Sequence, residues 1–289
     1  MEEHSLARGA AITGATSGIG LAIARALVAD GCTTLIIGGR RGDLLAERAR
    51  ELRAAGAVTV EIVVGELSDD AVAQRFVELI EQYEVDLLCN NAGFGVGGSI
   101  GADAPTDRLA RMIDVHASVP LRLCAAAMRG MRQRRRGIII NVGSLAGRLA
   151  VPGAATYVAT KAFTERFSES LAVEAAAFGI VVQALTPGFV KTDFHRDITD
   201  YRSHQKNAGL VRWLTAERVA TASLTAARAA RERLRRGRAV PVRRHTIVVP
   251  GWSYRLLAAI ASAVPRSLLY RAVARRPFPS ATSATDAPR

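Results

Sequence analysis

Lysine is nearly absent from this sequence. Only Lys161, Lys191 and Lys206 occur, although Lys and Arg together number 39. Cysteine is scarce too: Cys32, Cys89 and Cys124 lie far apart, with no CxxC pair. An odd, dispersed set of this kind excludes a disulfide framework and a cysteine-based metal cluster. His4, His195, His204 and His245 also lack metal-type spacing, so no metal site is expected. No run of about 18 apolar residues occurs, which argues against a spanning helix. The opening residues, MEEHSLARGAAITG, lack the layout of a signal peptide. A reducing, cytoplasmic setting is therefore expected. Aromatics make up 5% of the chain and are not interleaved with its basic residues, so nucleic acid is not an expected partner. No repeat of fixed period is present.

What the chain does have is apolar content. Of its 289 residues 49% are hydrophobic, enough for one large core. The formal charge of +13 is placed unevenly: residues 1–209 balance 23 basic against 23 acidic residues. Residues 210–289 hold 16 Arg against Glu217, Glu232 and Asp286, which gives the whole excess. Coding bias explains Arg in place of Lys but not this asymmetry. A basic C-terminal region attracts anionic surfaces, such as lipid or an acidic protein.

Short apolar runs rich in β-branched residues read as strands: 10–14, 33–39, 59–65, 85–90, 137–143, 179–185 and one near 245–249. Helical patterns alternate with them at 18–29, 43–55, 69–82, 106–131, 154–178 and about 216–236. This alternation predicts an α/β, doubly wound parallel sheet of about seven strands, with helices on both faces. The polar, aperiodic stretch 189–209 reads as a long loop of the kind that forms lids.

TGATSGIG (13–20) joins the first strand to the first helix. Its glycines let the backbone turn tightly and approach a pyrophosphate, which the helix N-terminus then attracts. Tyr157 and Lys161 in YVATK are four residues apart and share a helix face. A nearby ammonium would lower the tyrosine pKa toward working pH. Ser144 in NVGSLAG comes from the C-terminal end of a strand, where open α/β sheets bind ligands.

These features, in this order, resemble the short-chain dehydrogenase/reductase family, a Rossmann-type group. GxxxGxG, NNAG (90–93), Ser144 thirteen residues before Tyr157, YVATK and PGFVKT (187–192) all match its pattern across about residues 8–250. The resemblance implies hydride transfer between nicotinamide and a ketone or secondary alcohol. Tyr157 would be the general acid/base, Ser144 the donor to the substrate oxygen, and Lys161 a partner of Tyr157 and of the nicotinamide ribose. It implies cofactor contacts from Gly14, Thr16, Ser17, Gly18, Ile19 and Gly20. Further contacts would come from Glu66, Leu67, Asn91, Ala92 and Gly93, and from Pro187, Gly188, Val190 and Thr192. Glu66 stands where the family usually has Asp. Homodimers or homotetramers, paired through the helices near 106–131 and 154–178, are the family norm.

NAD enzymes commonly end the second strand with an acidic residue. Here the strand ends IIGGRRGD, with Gly39 at that position and Arg40 and Arg41 following. Arginine binds a 2′-phosphate bidentately, so NADP(H) is favoured over NAD(H).

One tetrad position departs from the family. Asp114, Val115, His116 and Pro120 put a histidine where relatives carry asparagine. Three readings stay open: a structural substitution with activity intact, which is favoured; a direct part in proton relay; or altered chemistry.

Past the last core strand, Trp252, Leu256, Leu257, Ile260 and Val264 recur at helical spacing, as do Leu268, Leu269 and Val273 after Pro265. This predicts a basic amphipathic helical extension over 251–276, broken at Val264–Pro265, after a catalytic domain over 1–250. The extension loosely resembles the tail of the 3-ketoacyl and 17β-hydroxysteroid reductase branch. It would wall an apolar substrate pocket, lie on an anionic membrane as a peripheral contact, or dock an acidic acyl carrier protein; plain core packing is an equal reading. Residues 277–289 have the composition of a disordered segment. The expected substrate is an apolar ketoacyl, polyketide-like or steroid-like ketone, free or carrier-bound. The alternative is a scaffold that keeps the fold and attaches through its basic tail to a membrane or acidic partner.

Overall fold

The computed structural model describes residues 5–195, 207, 209–241, 245–265 and 267. Strands β1 (Gly9–Thr13), β2 (Thr34–Gly39), β3 (Thr59–Val64), β4 (Leu87–Asn90), β5 (Gly137–Val142), β6 (Ile180–Leu185) and β7 (Ile247–Val248) form one sheet in the order β3-β2-β1-β4-β5-β6-β7. Every pairing is parallel. The sequence order reverses between β1 and β4, which opens a crevice at the carboxyl ends of these strands.

The helices are α1 (Gly18–Ala29), α2 (Gly42–Ala54), α3 (Asp70–Gln82), α4 (Thr106–Ile113), α5 (Val119–Arg134), α6 (Ala155–Ala176), α7 (Ala216–Arg235) and α8 (Trp252–Ala263). One core layer packs α1, α2, α7 and α8 on the sheet, with Ile23, Leu27, Leu45, Val219 and Tyr254 in it. The opposite layer packs α3 and α5, with Phe76, Leu79, Leu123 and Met131. Strands covered on both faces need no polar side, which is why β1, β4 and β6 are buried at every position. The doubly wound α/β sheet expected from strand–helix alternation is what the chain forms.

Helix starts follow local chemistry. The Asp69 carboxylate accepts from Ala71 N–H to open α3, and the Thr215 hydroxyl accepts from Arg218 N–H to open α7. No side chain caps α1, so its first N–H groups face the crevice. α5 ends on Arg135 in the left-handed region at φ 52°.

The helix expected over 106–131 is interrupted. Between α4 and α5, residues Asp114–Ser118 form a π-helical turn, in which Val119 N–H reaches back to the Asp114 carbonyl. Pro120 supplies no N–H for the carbonyl of His116 four residues earlier, so the regular ladder cannot run through this point.

α8 covers the first of the two helical runs expected in the C-terminal extension. The second run, apart from position 267, lies outside the described residues, as do residues 277–289 and most of the 189–209 loop. Cys32, Cys89 and Cys124 are buried free thiols, each pushed up to about 12 by burial.

Candidate active site

The glycine-rich turn meets the NNAG segment across the crevice. Asn91 Nδ2 donates to the carbonyls of Thr13 (3.0 Å) and Gly14 (2.9 Å). The Thr13 hydroxyl accepts from the N–H groups of Asn91 and Ala92, each at 3.0 Å. Gly14 has φ 67°, and a Cβ there would lie 2.9 Å from Ala92 Cα, so only glycine fits. The result is a backbone cradle at the open N-terminus of α1, suited to a pyrophosphate. Thr192 of PGFVKT closes the far side: a Cβ on Gly18 would come within 2.9 Å of its methyl group. Pro187 is tied in by its carbonyl, which accepts from Leu145 N–H at 3.1 Å.

Arg41 lies over the cradle. Its Nη2 is 3.2 Å from Thr16 Oγ1 and 3.5 Å from Ser17 Oγ. It also faces Asp193 of the following loop at 3.7 Å. Arg40 pairs with Glu66 at 3.3 Å on the exposed rim, while Leu67 is buried. These residues fit a dinucleotide. The turn and α1 present donors suited to its pyrophosphate, and Arg41 stands beside them with the hydroxyls of Thr16 and Ser17.

Ser144 lies two residues past β5 and starts a short 3₁₀ turn over Leu145–Arg148, its hydroxyl accepting from Ala146 N–H at 3.2 Å. Tyr157 and Lys161 come from the first two turns of α6. Gly147 lets the 3₁₀ turn sit directly on the backbone of Lys161 and Ala162, and Arg148 pairs with Glu165 at 3.0 Å. The Ser144 hydroxyl is thereby placed close enough to Tyr157 to favour its ionised form. Lys161 Nζ lies 5.8 Å from the Tyr157 ring centre and donates to the Val142 carbonyl at 3.0 Å. All three residues therefore converge, as the motif spacing implies.

Their electrostatics differ from the expectation in one respect. Burial raises Tyr157 above its ordinary range, with the nearby Ser144 hydroxyl opposing. Burial also lowers Lys161 to about 8. The ammonium was expected to depress the tyrosine. Here desolvation dominates, because both groups lie in one dry site and Lys161 spends a donor on Val142.

His116 sits in the π-helical turn and is 3% exposed. Its Nε2 accepts from Phe94 N–H at 3.2 Å, and its Nδ1 faces Thr160 Oγ1 at 3.0 Å. Thr160 in turn donates to the Tyr157 carbonyl at 2.9 Å. A backbone N–H can only donate, so Nε2 is bare and the ring proton belongs on Nδ1. Burial, then the nearby Lys161 ammonium, holds His116 well below its ordinary range, and the ring is neutral. Gly93 makes room for it, since a Cβ there would stand 2.8 Å from Nε2.

Beneath these groups Asn90 donates to Asn141 Oδ1 at 2.8 Å, and Asn141 donates to Ser168 Oγ at 3.0 Å, pinning β4, β5 and α6 together.

The model for the family described as "short chain dehydrogenase" matches residues 8–203. The chain belongs to the short-chain dehydrogenase family. Over 193 residues it is 38% identical to a Streptomyces virginiae monensin polyketide synthase protein named as a ketoacyl reductase, covering 65% of this chain and 73% of that one. Over 212 residues it is 35% identical to the 3-oxoacyl-[acyl-carrier-protein] reductase of Salmonella typhimurium, covering 73% and 83%. Two solved structures share its fold. A short-chain dehydrogenase from Sphingobium yanoikuyae in complex with NADPH aligns at TM-score 0.71 and 23% identity, covering 95% of this chain and 98% of that one. L-Sorbose reductase from Gluconobacter frateurii, complexed with NADPH and L-sorbose, aligns at TM-score 0.68 and 27% identity, covering 78% and 90%. As a short-chain dehydrogenase, the protein is an oxidoreductase that acts on a carbonyl or alcohol carbon and binds a nicotinamide cofactor.

Several residues of this site were not singled out in the sequence. Thr160 was hidden inside YVATK, three residues after Tyr157. Tyr254 is the larger omission. It is buried on α8, its hydroxyl accepts from Phe189 N–H at 3.1 Å, and it donates to the Arg212 carbonyl at 2.8 Å. A Cβ on Gly188 would fall 2.2 Å from its ring. α8 thus holds the PGFVKT loop, a contact that periodicity in the tail could not announce.

Proposed function

We propose that this short-chain dehydrogenase is an NADPH-dependent ketone reductase. The observation that carries this reading is the convergence of Ser144, Tyr157 and Lys161 beside the cradle, with Tyr157 held in its protonated form by burial. A neutral phenol is the state a carbonyl reduction requires, because the oxygen gains a proton as the carbon gains a hydride. When bound, the nicotinamide supplies that hydride. Tyr157 donates its proton to the carbonyl oxygen, while the Ser144 hydroxyl donates a hydrogen bond as charge develops there. Lys161, with a pKa near about 8, stabilises the phenolate left behind and is suited to passing a proton back near neutral pH. His116 holds the backbone of Tyr157 through Thr160 and transfers no proton.

Arg41, Thr16 and Ser17 support NADPH over NADH, since together they offer a cation and two hydroxyls to a 2′-phosphate. Phe194 lies 5.9 Å from Tyr157, ring to ring, and Phe94 lies 6.0 Å from His116, which supports an apolar substrate such as a ketoacyl or polyketide-like chain. The ketoacyl and acyl-carrier-protein reductases among its relatives support a carrier-bound form of it. Assembly as a homodimer or homotetramer belongs to the same proposal.

The test is NADPH oxidation against a panel of ketones and 3-oxoacyl thioesters, wild type beside Tyr157→Phe. Turnover that disappears in the variant, with cofactor binding retained, is the expected result. No turnover on any carbonyl together with no cofactor binding sinks the reading.

A further inference from the structure

α8 has two faces with different fates. Ser253, Tyr254 and Ala258 are buried against the fold. Trp252, Leu256 and Ile260, spaced every fourth residue, form a single stripe on the other side and are 60%, 44% and 46% exposed. Arg255 and Ala259 are exposed beside them. Phe189, also exposed, packs at a tilt against Trp213 with ring centres 5.1 Å apart, and its N–H is held by Tyr254, so it shares this corner of the molecule. Tryptophan, leucine and isoleucine aligned in water on one helix mark a binding surface rather than scatter.

The sequence that flanks α8 is one-sided in charge. No Asp or Glu occurs between Glu232 and Asp286, while eleven Arg do. Many arginines earlier in the chain pair with carboxylates, as in Arg25–Glu51, Arg75–Glu78, Arg122–Asp70 and Arg129–Glu81. Arg212 and Arg255 form no ion pair among the described residues. No helix among those residues is long and apolar enough to cross a membrane.

We propose that α8 docks flat on an anionic lipid surface. Trp252, Leu256 and Ile260 enter the boundary between headgroups and acyl chains, and Arg212 and Arg255 face the lipid phosphates. Lipid accounts for both halves of the surface. An acidic protein would satisfy the arginines and leave three large apolar side chains without a matching partner.

The full chain carrying Trp213→Phe has Trp252 as its only tryptophan, because the sequence holds two. It is mixed with vesicles of phosphatidylcholine alone and of phosphatidylcholine with phosphatidylserine, then sedimented and read by tryptophan emission. Binding to the anionic vesicles alone, with a blue shift of Trp252, is expected. Leu256→Asn with Ile260→Asn should weaken it by roughly a hundredfold, from the apolar burial removed. Arg255→Glu should weaken it by about tenfold and reduce its dependence on salt. Both variants keep turnover of water-soluble ketones, which separates this surface from the catalytic reading. Three results would overturn the proposal. They are equal binding to both vesicle types, an unshifted Trp252 emission, or a wild-type oligomer that falls apart in the Leu256/Ile260 variant and so shows the stripe to be a self-interface.

Discussion

His116 Nδ1 lies 3.0 Å from the hydroxyl of Thr160, and that hydroxyl donates a hydrogen bond of 2.9 Å to the carbonyl of Tyr157. With Phe94 N–H at Nε2, every polar atom of the ring is used in the neutral state. The histidine is a strut between the π-helical turn and α6.

A strut can be exchanged for a shorter polar side chain. His116→Asn should keep turnover within about tenfold and leave the pH–rate profile unmoved, since no titrating group leaves the reaction. His116→Phe fills the space but strands Phe94 N–H and Thr160, and should cost about 1–3 kcal/mol of stability. A shifted pH profile in His116→Asn would contradict the strut.

The same residue sets an acid limit. Its folded pKa is lowered, so below about 6.5 the unfolded chain binds a proton that the folded one refuses. His116 therefore weakens the fold as pH falls through that value. Chemical denaturation from neutral to mildly acid pH should show a shallower loss for His116→Asn than for wild type.

Lys161 acts at the other end of the scale. Its folded pKa near about 8 lies below the unfolded value, so its folding penalty is full at neutral pH and disappears as pH rises through the lysine range. Lys161→Met should raise stability at neutral pH by up to about 3 kcal/mol, less whatever the Val142 carbonyl loses, while abolishing turnover. Thermal melts of both proteins at neutral and alkaline pH check this: the gap between them should close as pH rises.

Arg41 is the residue on which cofactor choice is expected to turn. Arg41→Ala should raise the KM for NADPH by roughly ten- to a hundredfold and leave NADH use nearly unchanged, as removal of a charge-assisted contact predicts. Arg40→Ala should do less, because Arg40 is engaged with Glu66 on the rim. Equal effects on the two cofactors would count against a 2′-phosphate site.

Tyr254→Phe removes one hydroxyl that serves two loop segments. It strands Phe189 N–H and should cost about 1–3 kcal/mol. Because PGFVKT borders the cradle, the KM for cofactor should rise more than kcat falls; steady-state kinetics separate the two.

The sheet and the meeting of Ser144, Tyr157 and Lys161 were legible because they depend on local signals: β-branched runs, glycine turns, and an i,i+4 pair on one helix. The electrostatics were not. A lysine near a tyrosine suggested a depressed phenol, yet the balance between charge and desolvation depends on how dry the pocket is, which spacing does not encode. The break in the helix near His116 had a local cause in Pro120, but the partners the histidine meets there, Thr160 and Phe94, are 44 and 22 positions away. Tyr254 was invisible for a similar reason: a tyrosine in an amphipathic run acquires meaning only from the glycine it covers.

That pairing of Gly188 with Tyr254 bears on how the protein matures. Synthesis delivers the cradle first, and the Ser–Tyr–Lys cluster after it. The loop beside them receives its clamp only when α8 emerges, later than every other element of the site. A nascent chain lacking that helix would carry Ser144, Tyr157 and Lys161, with PGFVKT tied to Leu145 and Leu214 but without the Tyr254 clamp. The last contact on this loop therefore comes from the segment made last.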